Sequence, residues 1–279
     1  MKIDAHQHFW NPSRGDYDWM PMDNEVLARP YMPFDLAPEL ENHGIDATIL
    51  VQAAATVEET EYMLGIADAT PFVAGVVGWV DFENPAGLEV LKRLAGHPKF
   101  KGVRPMIQDI PDDDWMLRDD VQWGFQAITD LDLTFDALGF PRHLANFLTI
   151  LKRYPEMRVV VDHCMKPQIR DHSDATFRFW ADGMARIAGE TSAFCKFSAL
   201  VTEANPGWIV EDLKPYADHV FEVFGPERVM WGSDWPVCQL AASYKDWHAA
   251  AEALTARLDA SAQAQIYGGS AARFYRIGV

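Results

Sequence analysis

One (β/α)8 barrel domain over residues 1–279 is the fold this sequence predicts, on three observations. Short β-branched and apolar runs recur, helical patterns lie between most of them, and eight repeats fit the roughly 250 residues that a closed barrel requires. In order, strand one is read at Lys2–Trp10 and strand two at Ala47–Ala53, with a helix over Glu58–Ala69 behind it. Strand three, Phe72–Val80, leads to a helix over Pro85–Gly96, and strand four, Phe100–Ile107, to one over Val121–Asp130. Strand five, Leu133–Leu138, precedes a helix over Pro141–Arg153, and strand six, Arg158–Cys164, one over Ala175–Ala188. Strand seven, Ala193–Leu200, leads to Pro206–Phe224. Strand eight, Val229–Val237, leads to helical stretches over Tyr244–Leu258 and from Ser261 onward. Such alternation argues a parallel sheet, and eight repeats argue closure rather than an open doubly wound sheet.

Two segments stand outside the alternation. Asn11–Pro38 is long, aromatic and poor in periodicity, which reads as a lid, a partner surface or a packed crossover. The acidic stretch Asp109–Asp120 reads as a loop at the barrel rim. No Pro/Gly/Ser linker divides the chain, and no GxGxxG or GxxxxGKS/T follows a strand, which counts against dinucleotide and P-loop folds.

Forty-one acidic against 24 basic residues give a formal net charge of −17. Phosphate backbones and anionic lipid are repelled by that surface, so neither nucleic acid nor membrane is an expected partner. Cys164, Cys195 and Cys238 are scattered and lack CxxC spacing, which excludes a disulfide framework and suits the reducing cytoplasm. No long apolar stretch follows Met1 and no run of about 18 apolar residues exists, so neither a signal peptide nor a membrane span is expected.

The unusual polar residues collect at the C-terminal ends of the strands, the face where barrel active sites sit. Strand one ends in His6-Gln7-His8, and residues at i and i+2 share a face, so two imidazoles enter one cavity. On strand six, alternation puts Val159, Val161 and His163 on one face and delivers a third. On strand eight, Met230, Gly232 and Asp234 share a face; Gly232 permits a close approach and Pro236 ends the strand. An ionised Asp234 at the barrel mouth must be paired, hydrogen-bonded or bound to a metal.

This set suits two chemistries. One is a mononuclear divalent site on His6, His8, His163 and Asp234, with zinc the expected ion. The other is metal-free catalysis, with Asp234 as general base on water and the imidazoles donating to a developing oxyanion. Spacing alone does not separate them. Arg104, after Lys101-Gly102-Val103, and Lys166, after strand six, suit a carboxylate or the hydroxyls of a small substrate. Gln52, Trp10 and Trp235 complete the expected substrate-binding set, the aromatics as apolar walls.

Taken in order, Ile3-Asp4-Ala5-His6-Gln7-His8-Phe9-Trp10, Lys101-Gly102-Val103-Arg104, Asp162-His163-Cys164-Met165-Lys166-Pro167, Lys196-Phe197-Ser198-Ala199-Leu200, Trp231-Gly232-Ser233-Asp234-Trp235-Pro236-Val237 and Gly269-Ser270-Ala271-Ala272-Arg273-Phe274-Tyr275 resemble the amidohydrolase superfamily. Within it they are similar to the sugar-lactone hydrolases, the branch of the L-fuconolactonases and L-rhamnonolactonases. The resemblance implies a barrel, lactone hydrolysis, and an Asp234 that faces His6, His8 and His163 in the catalytic role. Dinuclear members carry a metal-binding histidine at the end of strand five and a bridging Lys or Glu on strand four. Here strand five offers Asp136, and Lys101 stands at the start of strand four, so the resemblance implies one metal or none. Strand seven continues Phe197-Ser198-Ala199-Leu200 where Leu-Ser-Gly-Leu is commoner.

The expected function is therefore hydrolysis of a small polyhydroxylated or carboxylated lactone, with a small molecule as the only expected partner. One alternative is a metal-dependent decarboxylase of an aromatic or muconate-like acid, which needs its metal absolutely. Another is a non-catalytic sugar-acid binding barrel, which would keep Arg104 and Lys166 but need no Asp234.

Overall fold

The computed structural model describes residues 1–278. Eight strands form one sheet in the order of the chain, every ladder parallel. They are β1 (Ile3–Gln7), β2 (Ala47–Val51), β3 (Val73–Gly78), β4 (Phe100–Val103), β5 (Thr134–Ala137), β6 (Arg158–Val161), β7 (Phe194–Phe197) and β8 (Val229–Trp231). Parallel neighbours require a crossover. Helices supply it: α1 (Pro33–His43), α2 (Val57–Ala69), α3 (Gly87–Ala95), α4 (Gln122–Asp130), α5 (Leu144–Arg153), α6 (Asp174–Glu190), the short α7 (Leu200–Glu203) and α8 (Val210–Phe224). Then α9 (Tyr244–Thr255), α10 (Ala260–Ala264) and α11 (Ser270–Phe274) follow β8. The sheet closes just beyond β8, where Asp234 N–H donates to His6 O at 2.8 Å and His8 N–H donates to Trp235 O at 2.7 Å.

Two apolar layers flank the strands. Ile3, Ala5, Ile49, Val51, Val77, Val160 and Met230 fill the barrel interior, while Val159, Val161, Phe135 and Phe197 pack outward under the helices. α1 begins inside the aperiodic segment Asn11–Pro38 and runs past its end to His43. Pro33 takes the first helical position and Asp35 accepts the Met32 N–H at 2.8 Å. Pro38 removes one hydrogen bond, but burial of Leu36 and Leu40 keeps the helix intact.

The strands are shorter than the apolar runs, because the backbone leaves the ladder where side chains must reach the mouth. β6 stops at Val161, and His163 is not on the strand. Its alternation also has the opposite phase: Val160 faces the interior, and Val159 and Val161 face the helices. Four successive residues then take positive φ, His163 at 53°, Cys164 at 50°, Met165 at 58° and Lys166 at 47°, and this left-handed turn swings the imidazole into the mouth. Each such residue costs about 1–2 kcal/mol, so the packing around the turn must hold it there. β8 likewise ends at Trp231, and Asp234 has φ 55°. Ala199 has φ 57°, a left-handed conformation that glycine adopts without steric cost.

In β1 the register slips between Asp4 and Gln7, where three steps along β1 match two along β2. This bulge turns both Ala5 and His6 inward in succession. Gly232 passes so close to β1 that an added Cβ would lie 2.8 Å from His6 Cβ and 3.0 Å from His6 N. Gly232→Ala should therefore cost about 1–3 kcal/mol through overpacking. Thermal unfolding of the variant checks this, with Tm expected several degrees below wild type; an unchanged Tm would show that the seam can open without penalty.

Candidate active site

Closure brings four predicted residues together. His8 Nε2 lies 3.3 Å, His6 Nε2 3.7 Å and His163 Nε2 3.9 Å from Asp234 Oδ1. The two strand-one imidazoles face each other with Nε2 atoms 3.2 Å apart. His8 Nδ1 lies 2.7 Å from Val51 O, an acceptor only, so that nitrogen carries the proton and donates it. Its Nε2 is thereby directed at Asp234 Oδ1. His163 Nδ1 pairs with Ser198 Oγ at 2.9 Å.

Below these groups, above the apolar interior, lies a layer of buried charge that sequence reasoning missed. Lys196 Nζ donates to Asp136 Oδ2 at 2.5 Å and lies 3.0 Å from Asp162 Oδ1. Arg104 Nη1 donates to Asp162 Oδ2 at 3.2 Å, and Tyr275 OH donates to Asp136 Oδ2 at 2.7 Å from the C-terminal end of the chain. Two cations thus meet two carboxylates, as burial of charge demands. The signal was present in the sequence. Lys196 and Asp136 each interrupt an apolar strand core at an inward position, and a lone buried charge there needs a partner across the barrel.

The cavity above the cluster has a volume of about 320 Å³, within the range for one small ligand. His8, His163, Asp234, Arg104, Lys166 and Trp10 line it, as expected. Trp19, Met106, Gln108 and Asp109 join them from the β1–α1 and β4–α4 loops. The lid reading of Asn11–Pro38 is thereby given a contact: Trp19 Nε1–H donates to Ala53 O at 2.5 Å at the rim. Two expected substrate residues do not reach the cavity. Gln52 is fully buried and serves Arg104, its Nε2 donating to Arg104 O at 2.7 Å while the guanidinium donates back to Gln52 O. Trp235 packs into the closure seam against Phe9 and Tyr31.

Burial pushes His163 down to about 3, and burial together with the neighbouring Lys196 holds His6 well below the ordinary imidazole value. Both rings are neutral at physiological pH. Burial opposes the charge on Asp234, yet His163, His8 and Lys166 outweigh it and hold the carboxyl below the usual carboxylate range. An anion among imidazoles can take a proton or hold a cation. One ligand atom each from His6, His163 and Asp234 lies within 4.8 Å of the others, so the residues fit a single divalent ion. Strand five contributes Asp136, which is committed to Lys196 and Tyr275, so no second metal has ligands there.

The amidohydrolase family profile matches residues 3–277. The chain belongs to the amidohydrolase family. This amidohydrolase is 42% identical over 282 aligned positions to an L-fucono-1,5-lactonase of Burkholderia ambifaria, covering 99% of this chain and 96% of the relative. It is 35% identical over 286 positions to an L-fucono-1,5-lactonase of Burkholderia multivorans, with 99% and 96% covered. A crystal structure of a Burkholderia multivorans amidohydrolase with bound zinc superimposes with a TM-score of 0.92 at 34% identity, over 100% of both chains. Among the described residues no helix is long and apolar enough to cross a membrane.

One buried carboxylate controls the rim of the cavity. Glu59 accepts the N–H groups of Ala53 at 3.0 Å and Ala54 at 2.6 Å, and its burial raises it from 4.5 to about 8. Burial favours its protonated form, so this stabilisation is full below pH 4.5 and is lost as pH rises through about 8. Glu59→Gln should flatten that part of the profile. Urea midpoints of both proteins measured between pH 4.5 and 8.5 check it: the wild-type value should fall relative to the variant as pH rises.

Proposed function

We propose that this amidohydrolase opens a sugar lactone, an aldono-1,5-lactone of the L-fucono type, to its hydroxy acid. The observation that carries the reading is a held-ionised Asp234 among three imidazoles at the floor of a cavity of about 320 Å³. The 42% identity to an L-fucono-1,5-lactonase supports the substrate class.

In this reading Asp234 removes a proton from water as its oxygen attacks the lactone carbonyl. His8 is held at Nδ1 by Val51 O and sets its Nε2 3.3 Å from Asp234 Oδ1. His6, His8 and His163 stabilise the oxyanion, each well-placed donor being worth about 3–4 kcal/mol. Asp234 then returns its proton to the ring oxygen as the ester C–O bond breaks. Arg104 and Lys166 hold the substrate's hydroxyls, and Trp10 and Trp19 form the apolar wall. A divalent ion bound by His6, His163 and Asp234 would supply Lewis-acid polarisation of the carbonyl.

A pH-stat assay over a panel of aldono-1,5- and 1,4-lactones tests the reading, with L-fucono-1,5-lactone expected among the best substrates; no acid release from any lactone would end it. Asp234→Asn is near-isosteric, so kcat should fall roughly 10²–10⁴-fold. Tm should stay within about two degrees, by the small cost of a like-sized substitution. Near-normal turnover would remove Asp234 from the role of base.

A further inference from the structure

We propose that Phe140 is a positioning residue for Lys166: its ring seats the ammonium at the cavity and leaves both the charge and the N–H donors free for a substrate oxygen. The two cations that line the cavity are held in different ways. Arg104 is committed. Its Nη1 meets Asp162 Oδ2 at 3.2 Å and His6 Nε2 at 3.3 Å, and its Nη2 donates to Gln52 O. Among the described residues the Lys166 ammonium has no ion pair. The contact it makes is with Phe140, its Nζ 5.5 Å from the ring centroid. A carboxylate there would offset the charge and take up a donor. An aromatic face attracts the cation through its quadrupole and takes neither.

The ring itself is held on every side. β5 ends at Ala137, and the loop that follows is pressed against the left-handed turn that carries Lys166. An added Cβ on Gly139 would lie 2.7 Å from Phe147 Cε2 and 3.2 Å from Met165 Sδ, so only glycine allows this approach. Phe140 N–H donates to His143 Nδ1 at 3.0 Å. That nitrogen is therefore an acceptor, and the fully buried His143 donates from Nε2 to Asp113 Oδ1 at 3.0 Å. Arg142 Nε donates to the same oxygen at 2.8 Å, and its guanidinium carbon lies 4.7 Å from the Phe140 centroid. Of the two cations on this ring, Arg142 is paired with Asp113 and Lys166 is left for a ligand. The acidic segment Asp109–Asp120 is thereby tied, through Asp113 and His143, to the residue that seats a cavity cation.

The consequence falls on binding rather than on the chemical step. A lysine carries a flexible four-carbon stem, and holding a ligand costs it rotamer freedom. The ring removes part of that freedom before the ligand arrives. In the lactonase reading, on which this consequence rests, Lys166 holds a substrate hydroxyl. A contact made equally in the ground and transition states changes KM and leaves kcat alone.

The test uses the full chain, and its first part needs no turnover. With 13C-labelled lysine, Lys166 is assigned by the signal lost in Lys166→Met. Its ε-methylene protons should lie upfield of those of the exposed lysines and show Overhauser contacts to the Phe140 ring. Phe140→Leu should abolish the upfield shift, and Phe140→Tyr should keep it. An unshifted Lys166 in the wild type overturns the proposal, and so does a shift that survives in Phe140→Leu. If Phe140→Leu does not fold, the wild-type Overhauser contacts decide alone. The second part is kinetic. Phe140→Leu should raise KM about two- to tenfold, the range of a cation–π contact, with kcat within about twofold. Phe140→Tyr should bring KM back to within about twofold of wild type, because the aromatic face is kept. In a Lys166→Met background Phe140→Leu should raise KM no further, since the partner of the ring is already gone. An equal rise in both backgrounds overturns the proposal. Absence of turnover on every lactone, with Lys166 shifted as expected, would remove the lactonase reading and leave the seating of Lys166 on Phe140 standing.

Discussion

Neutralisation of charge inside a closed barrel is the constraint on which the rest of the site depends. Lys196, Asp136, Asp162 and Arg104 are almost wholly removed from water, and none of them is tolerable alone. Their mutual pairing fixes the height at which the apolar interior ends and the reactive cavity begins. It also fixes His6, which stands on Lys196 on one side and faces Asp234 on the other. Even the C-terminal segment is drawn in, since Tyr275 supplies a hydrogen bond to Asp136 from beneath.

Above that layer, reactivity is obtained by departing from regular structure. A bulge re-aims His6, a left-handed turn carries His163 and Lys166, and a positive φ places Asp234. Backbone of this kind costs free energy that regular strands do not. The closure hydrogen bonds at His6 O and Trp235 O, and the contact of Gly232 with β1, hold these conformations in place. His6, His8 and Asp234 are thus kept by the seam of the barrel, where first and last strands meet.

Orientation then matters as much as proximity. Three imidazoles around one carboxylate look equivalent in composition, but their outer partners differ. Val51 O accepts from His8 Nδ1, Ser198 meets His163, and Lys196 meets His6. The same four residues have the chemistry to stabilise an oxyanion or to surround a cation, and each ring meets a different partner.

What the sequence determined by itself was the alternation of strands and helices and the kind of residue at each strand end. Both depend on local patterning, which is why the barrel, His6, His8, Asp234 and Arg104 were legible. His163 was reached through an alternation of the wrong phase, because no local signal marks four successive left-handed residues without a glycine. α1 was hidden by Pro38, and its stability comes from burial of Leu36 and Leu40 rather than from its own propensity. Only the tertiary structure decided that Gln52 braces Arg104, that Trp235 lies in the seam, and that Lys196 meets a histidine 190 residues away. Contacts across a barrel arise from closure, and closure sets which atoms meet at a distance along the chain that no sequence window spans.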